Sequence, residues 1–275
     1  MALDALYVAA RRALLDALTA LGDHREALVV IGAQAVYLHA PGDDLAVAPA
    51  TTDADLGLAP DLLADSPLLE DLLLAANFEL TKEPGIWMSP YGSTVDLIVP
   101  ESLAGSGRRG ARLGAQGNRA ARRAVGIEGC LVDKEATAIG ALEDGDDRSF
   151  SVAVAGPAAL VVAKTHKIAG RRDEGRGRLN DKDALDVYRL LRSVEPRAFS
   201  AGFALLAGSE LAASSTEWAV GEFARLFVEG RSLGVDMVAR ATEGLIPEAE
   251  VRAACPLLAR ELLAAAGADG PFTGR

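Results

Sequence analysis

The stretch ALVVIGAQAVYLHA, residues 27–40, changes its hydrophobic period in the middle. Leu28 to Ile31 form a continuous apolar run of strand length, and from Ala33 to Ala40 the pattern turns helical. Gly32 stands between them, where a tight turn is easiest for a residue without a Cβ. A strand, a glycine turn and a helix in so few residues belong to a layered domain in which helices pack on a sheet.

The next strand is expected at residues 54–58, inside TTDADLGL, and it is unusual in carrying acids. Side chains two apart on a strand share a face, so Asp53 and Asp55 project together while Ala54, Leu56 and Leu58 point into the core. A third acid, Asp96, sits among Val95, Leu97 and Val99 in the strand expected over 94–99. Three carboxylates on neighbouring strands repel one another unless a hard divalent cation neutralises them, and magnesium, or manganese in its place, is the expected ion. An Asp-x-Asp alone is a weak signal, because acids flank strands and cap helices in many proteins. The strand, glycine and helix upstream strengthen it, since amides at a helix N-terminus can hold a phosphate beside such an ion.

Elsewhere the pattern predicts helices over 2–22 and 61–76, the second with Pro67 near its start or at a kink. Short strands are expected within 130–154, around the turn-rich EDGDD. From Pro157 onward almost everything reads as helix: 157–170, 181–193, 196–207, 213–230 and 247–266. The expected fold is α/β: a mixed sheet with flanking helices over 1–156, which with its glycine turn and aspartate strand resembles the nucleotidyltransferase fold, then a mainly helical part over 157–275 that by this resemblance completes the cleft.

Charge is distributed unevenly. Residues 1–100 hold 15 acids and 4 bases, so they carry the whole net charge of −11 and the rest of the chain balances. Within that rest, RRGARLGAQGNRAARR (108–123) has six arginines and no acid. Its glycines suggest a mobile loop, which either lies along phosphates or is simply solvated beside an acidic neighbour. No apolar run is long enough to span a membrane, because Gly156 and Pro157 break the longest. The N-terminus lacks the basic-then-apolar order of a signal peptide. Two distant cysteines, Cys130 and Cys255, suit a reducing compartment. The expectation is a soluble, cytoplasmic protein. Walker A, dinucleotide, Gly-x-Ser-x-Gly and His-Glu-x-x-His motifs are absent, and the three histidines have no metal spacing.

In the second half, VVAKTHKIAGRR is followed by LNDKDALDVYRLL. With the glycine turn and the aspartate strand, this order resembles the AbiEii-type nucleotidyltransferase toxins of abortive-infection and toxin–antitoxin systems, over about residues 28–195. The matching positions are Lys164, then Lys182 and Asp183, then Asp186 and Tyr188. The resemblance implies metal-bound Asp53, Asp55 and Asp96, with catalytic roles for Asp53, Asp55, Lys164 and Asp183. It also implies that Gly32, Ala33, Thr51, Thr52 and Lys167 hold the NTP. Many nucleotidyltransferases place Ser or Thr after the turn glycine, where Ala33 and Gln34 stand here, so backbone amides would grip the phosphate. Pro49 lies in the region where the family carries an arginine.

Read from the residues alone, Lys164 could instead be a solvent-facing lysine. Asp181 could cap a helix whose Asp183 and Asp186 are solvated first-turn acids. Three functions follow. The first is transfer of a nucleoside monophosphate from an NTP to an RNA (tRNA) 3′ end, with a cognate antitoxin as protein partner. The second is a catalytically silent nucleotide-, RNA- or partner-binding member, and the third is transfer to a small hydroxyl compound. For RNA, Arg108, Arg109, Arg112, Arg119, Arg122 and Arg123 are the expected phosphate contacts, helped by Arg171, Arg172, Arg176 and Arg178.

Overall fold

The computed structural model describes residues 4–41 and 48–267, apart from the side chain of Arg176. The chain divides into two compact units: residues 1–35 with 48–155, and residues 36–47 with 156–275. Residues 36–47 thus go with the helical unit.

The first unit is built on a mixed sheet. Helix α1 (Ala5–Ala20) starts where Asp4 accepts bonds from the amides of Leu6 and Tyr7. It buries Leu14, Leu15 and Leu18 against strands β2 (Asp53–Leu58), β5 (Thr94–Pro100) and β8 (Ser149–Ala155). Strand β1 (Leu28–Ile31) is buried throughout, runs antiparallel to β2 and parallel to β8, and passes at Gly32 into helix α2 (Gly32–His39). The remaining strands are β3 (Glu79–Leu80), β4 (Ile86–Met88), β6 (Arg122–Ala124) and β7 (Lys134–Gly140). The order is β3-β4-β5-β2-β1-β8-β7, with β6 parallel to the later part of β5.

Two sequence expectations are corrected in this unit. Instead of one helix over 61–76 there is a 3-10 turn (Pro60–Leu62) and a short helix α3 (Leu69–Ala75). Pro67 interrupts the pattern, and the Gln116 side chain accepts from the amide of Leu69 to start the helix afresh. The arginine-rich segment is not an irregular loop either. It contains β6 and a 3-10 turn (Gly114–Gln116), and backbone bonds tie Ala111 to Ala121, Arg112 to Ala104 and Arg123 to Arg109.

The second unit contains α4 (Pro157–Glu174), α5 (Asp181–Ser193), α6 (Pro196–Ala207), α7 (Ala213–Phe227), α8 (Leu233–Ala241) and α9 (Glu248–Ala265). The sequence reading missed α8. Helix α4 packs against α5, α6 and α7, which is why its apolar start, Ala158 to Val162, is wholly buried. No helix among the described residues is long and apolar enough to cross a membrane.

Candidate functional site

In the first unit, the parallel register of β2 with β5 sets Asp55 directly opposite Asp96 and Asp53 opposite Thr94. The antiparallel register with β1 sets Asp55 opposite Ile31, one residue before Gly32. Gly32 has φ +66°, and a Cβ at that position would lie 2.0 Å from Oδ2 of Asp55. The turn therefore requires glycine twice, for its left-handed backbone and for the close approach of that backbone to the carboxylate. Ala33 is buried, and so is Gln34, whose oxygen accepts from Arg11 Nε at 2.9 Å. The Arg11 guanidinium also bonds the Gly140 carbonyl and the Tyr7 hydroxyl, and burial pulls its pKa down.

Asp55 and Asp53 both lie near enough to push up the Asp96 carboxyl, but the three carboxylates have different partners. Thr51, itself buried, donates to Asp53 Oδ1 at 2.7 Å, while Thr52 is exposed. Arg122, which the sequence reading assigned to RNA, reaches from β6 into the acidic pair instead. Its Nη2 lies 2.9 Å from Asp96 Oδ2 and 4.0 Å from Asp55 Oδ1, and its Nε donates to the same Asp96 oxygen at 3.0 Å. Burial, reinforced by Asp55, raises the Asp96 carboxyl to about 6 despite Arg122. Among the described residues no group of three or more His, Cys, Asp or Glu side chains is close enough to hold a metal ion. As the side chains stand, the donor set does not fit the three-carboxylate magnesium centre expected from sequence, because a guanidinium supplies the positive charge. Two further buried acids near this region, Glu128 and Asp133, escaped the sequence reading. They lie in and after a short turn without periodicity, and nothing local marks them.

In the second unit, Lys164 is buried on α4 and its Nζ donates to Asp183 Oδ1 at 2.9 Å and to Asp186 Oδ2 at 2.7 Å. Burial alone would lower the lysine's pKa, but Asp186 and Asp183 outweigh it and the net direction is up. Asp183 also faces Lys167 at 3.4 Å and Arg171 at 2.5 Å. Burial works to raise its carboxyl, yet these cations, Lys164 first, hold it at about 2. Lys182 reaches Asp186 at 3.2 Å and lies over the ring of Tyr37, as Arg189 does. The solvated reading of Asp183 and Asp186 is thereby excluded. Asn180, not Asp181, caps α5, and Asp181 pairs with Arg240. The cluster gathers five cations, Lys164, Lys167, Arg171, Lys182 and Arg189, around two acids. Lys167 and Arg171 remain 45% and 31% accessible at their side chains, so anionic groups can reach them.

The arginines expected to contact RNA separate into two sets. Arg109 is held by Glu83 at 2.7 Å, Arg122 by Asp96, and Arg123 by Glu101 and by the carbonyls of Ala104, Gly105 and Gly107. Arg108, Arg112 and Arg119 line an open cavity with Lys82 and Asn118. Of the second basic stretch, Arg171 pairs with Asp183, Arg172 with Asp173 and Glu222, and Arg178 with Glu174; the side chain of Arg176 lies outside the described set.

Compared with known proteins, the chain matches no family model and no curated protein.

Proposed function

We propose that this protein is a nucleotidyltransferase that moves a nucleoside monophosphate from an NTP to a hydroxyl, with an RNA 3′ end as acceptor. Its proposed setting is the toxin side of a toxin–antitoxin pair, with the cognate antitoxin as partner. The observation that carries this reading is the strand, glycine turn and helix whose backbone rests on Asp55, with Asp96 in register beside it. Amides at such a turn suit a phosphate, and the neighbouring carboxylate suits the proton of an attacking hydroxyl.

In the proposed reaction the acceptor oxygen bonds to the α-phosphorus, the bond from that phosphorus to the bridging oxygen breaks, and pyrophosphate leaves with the electron pair. Asp55, less tightly engaged than Asp96, takes the hydroxyl proton. In the second unit, Asp183 holds Lys164, Lys167 and Arg171, the cations proposed to offset phosphate charge. Magnesium or manganese is the cofactor implied by the resemblance; the roles above belong to the chain's own side chains.

The test is incubation with each α-labelled NTP and total RNA, with magnesium, with manganese and with chelator, in wild type and Asp55→Asn. Label on RNA 3′ ends that disappears in the variant is the expected result. No label under any condition would overturn the transferase reading. The alternative is a silent, binding-only member, and the pairing of Arg122 with Asp96 is the observation in its favour. It predicts NTP binding by calorimetry without turnover. Label on a small hydroxyl compound and not on RNA would leave the transferase and change the acceptor.

A further inference from the structure

We propose that the cavity between Lys82 and the arginine segment is a binding site for the sugar–phosphate backbone of single-stranded RNA, held through Lys82, Arg108, Arg112 and Arg119. The cavity has a volume of about 320 Å³ and is lined by these four cations with Asn118, Pro84, Ser106, Gly107 and Gly110, without an acid. That size lies at the low end of ligand pockets, roughly 300–1,000 Å³.

Pairing within the chain distinguishes these cations from the other arginines of the segment. Among the described residues, none of Lys82, Arg108, Arg112 and Arg119 makes an ion pair. The nearby acids Glu83 and Glu101 are already engaged by Arg109 and Arg123. Four cations lining one cavity repel each other, and an anion relieves that repulsion. A bridging phosphate diester is the fitting group, because Arg binds its two free oxygens in parallel and Asn118 can donate beside it.

The frame behind these side chains is built. A Cβ on Gly110 would lie 2.0 Å from the Asn118 carbonyl oxygen and 3.5 Å from Pro84, so the backbone there is packed as closely as glycine allows. The Arg123 guanidinium bonds the carbonyls of Ala104, Gly105 and Gly107, and the amide of Arg112 bonds Ala104. Arg108 and Arg112 are therefore presented from fixed backbone, which lowers the ordering cost of binding. With a net charge of −11, the protein repels nucleic acid at long range, so attraction has to come from a local surface such as this.

The choice of RNA as ligand rests on the transferase reading above, but the test needs no transfer. Binding of a labelled single-stranded oligoribonucleotide is followed by fluorescence anisotropy without NTP, beside calorimetry with inorganic tripolyphosphate. Arg108→Gln/Arg112→Gln should weaken RNA binding at least fivefold and flatten the slope of log K against log salt by about 1.4, at roughly 0.7 per lost phosphate contact. Lys82→Gln, which removes a lining cation from outside the arginine segment, should weaken it in the same direction. Arg109→Gln, whose side chain belongs to Glu83, should leave it unchanged. Unchanged RNA binding in both cavity variants overturns the proposal, as does a loss in Arg109→Gln equal to theirs, or binding of tripolyphosphate without RNA. RNA binding through the cavity in a protein that transfers nothing would uphold this site and remove the transferase reading.

Discussion

At the scale of single residues, Lys164 holds the sharpest consequence. Sequence alone allows Lys164→Ala to be a clean active-site deletion that leaves the fold intact. In the structure that substitution removes the buried cation between Asp183 and Asp186, leaving them the more accessible Lys167, Arg171 and Lys182. Breaking a buried pair outright costs about 3–5 kcal/mol, so with those cations remaining urea unfolding of Lys164→Ala should show a loss below that range. Lys167→Ala, at a half-exposed position, is the better probe of catalysis. The acid limb of stability follows from Asp183. Its folded pKa of about 2 lies below the unfolded value of about 4, so its contribution is present above pH about 4 and is lost as pH falls towards 2. Asp183→Asn should remove that limb, at a cost in stability at neutral pH. Asp96 has the opposite sign. A folded pKa of about 6 above the unfolded value means that ionisation costs stability, a cost absent below pH about 4 and complete above about 6. Asp96→Asn should raise the melting temperature at pH 7, by at most about 3 kcal/mol in stability, and the gain should vanish at pH 4.

At the scale of elements, the strand, glycine turn and helix of residues 28–39 is the motif on which the site is built. Gly32→Ala forces a side chain into a left-handed backbone and against the Asp55 carboxylate. The backbone conformation alone costs about 1–2 kcal/mol, and Asp55 must also move. The variant should melt lower, and any activity should fall by more than the stability loss explains, which a comparison at a temperature where both proteins are folded would reveal. This turn was legible from the change of period at Gly32. Strands β3, β4 and β6 were not, because two or three residues cannot show alternation, and their pairing with β5 and with each other is what makes them strands. The 61–76 segment misled for a related reason: its leucines have helical spacing, but Pro67 and the bond from Gln116, 47 residues from Leu69, restart the helix.

At the scale of the whole molecule, the two units exchange chain more than once, because residues 36–47 belong with the helical one. Val36 and Tyr37 are buried, and Lys182 and Arg189 of the same unit lie over the Tyr37 ring. A fragment ending at Ala155 therefore loses the helical partners of α2 while keeping its apolar residues. Expressed alone, residues 1–155 should melt below the full chain and bind a hydrophobic dye in the native state. A fragment as stable as the full chain and free of dye binding would show that Val36 and Tyr37 need no cover from the rest of their unit.

What the sequence determined by itself is local. The period change at Gly32, the acids placed two apart on a strand, and the order of Lys164, Asp183 and Asp186 along two amphipathic helices can each be read within a dozen residues or so. They suffice for the α/β-then-helical architecture and for the candidate carboxylates. Pairing partners were decided only by tertiary structure. Arg122 belongs to Asp96 because β6 runs beside β5, and Lys164 lies between two acids because α4 packs on α5. The same six arginines read identically in a linear chain, yet three are tied to acids and three line a cavity. Ion pairing depends on distances of a few ångströms between residues far apart in sequence, and no local pattern carries those distances.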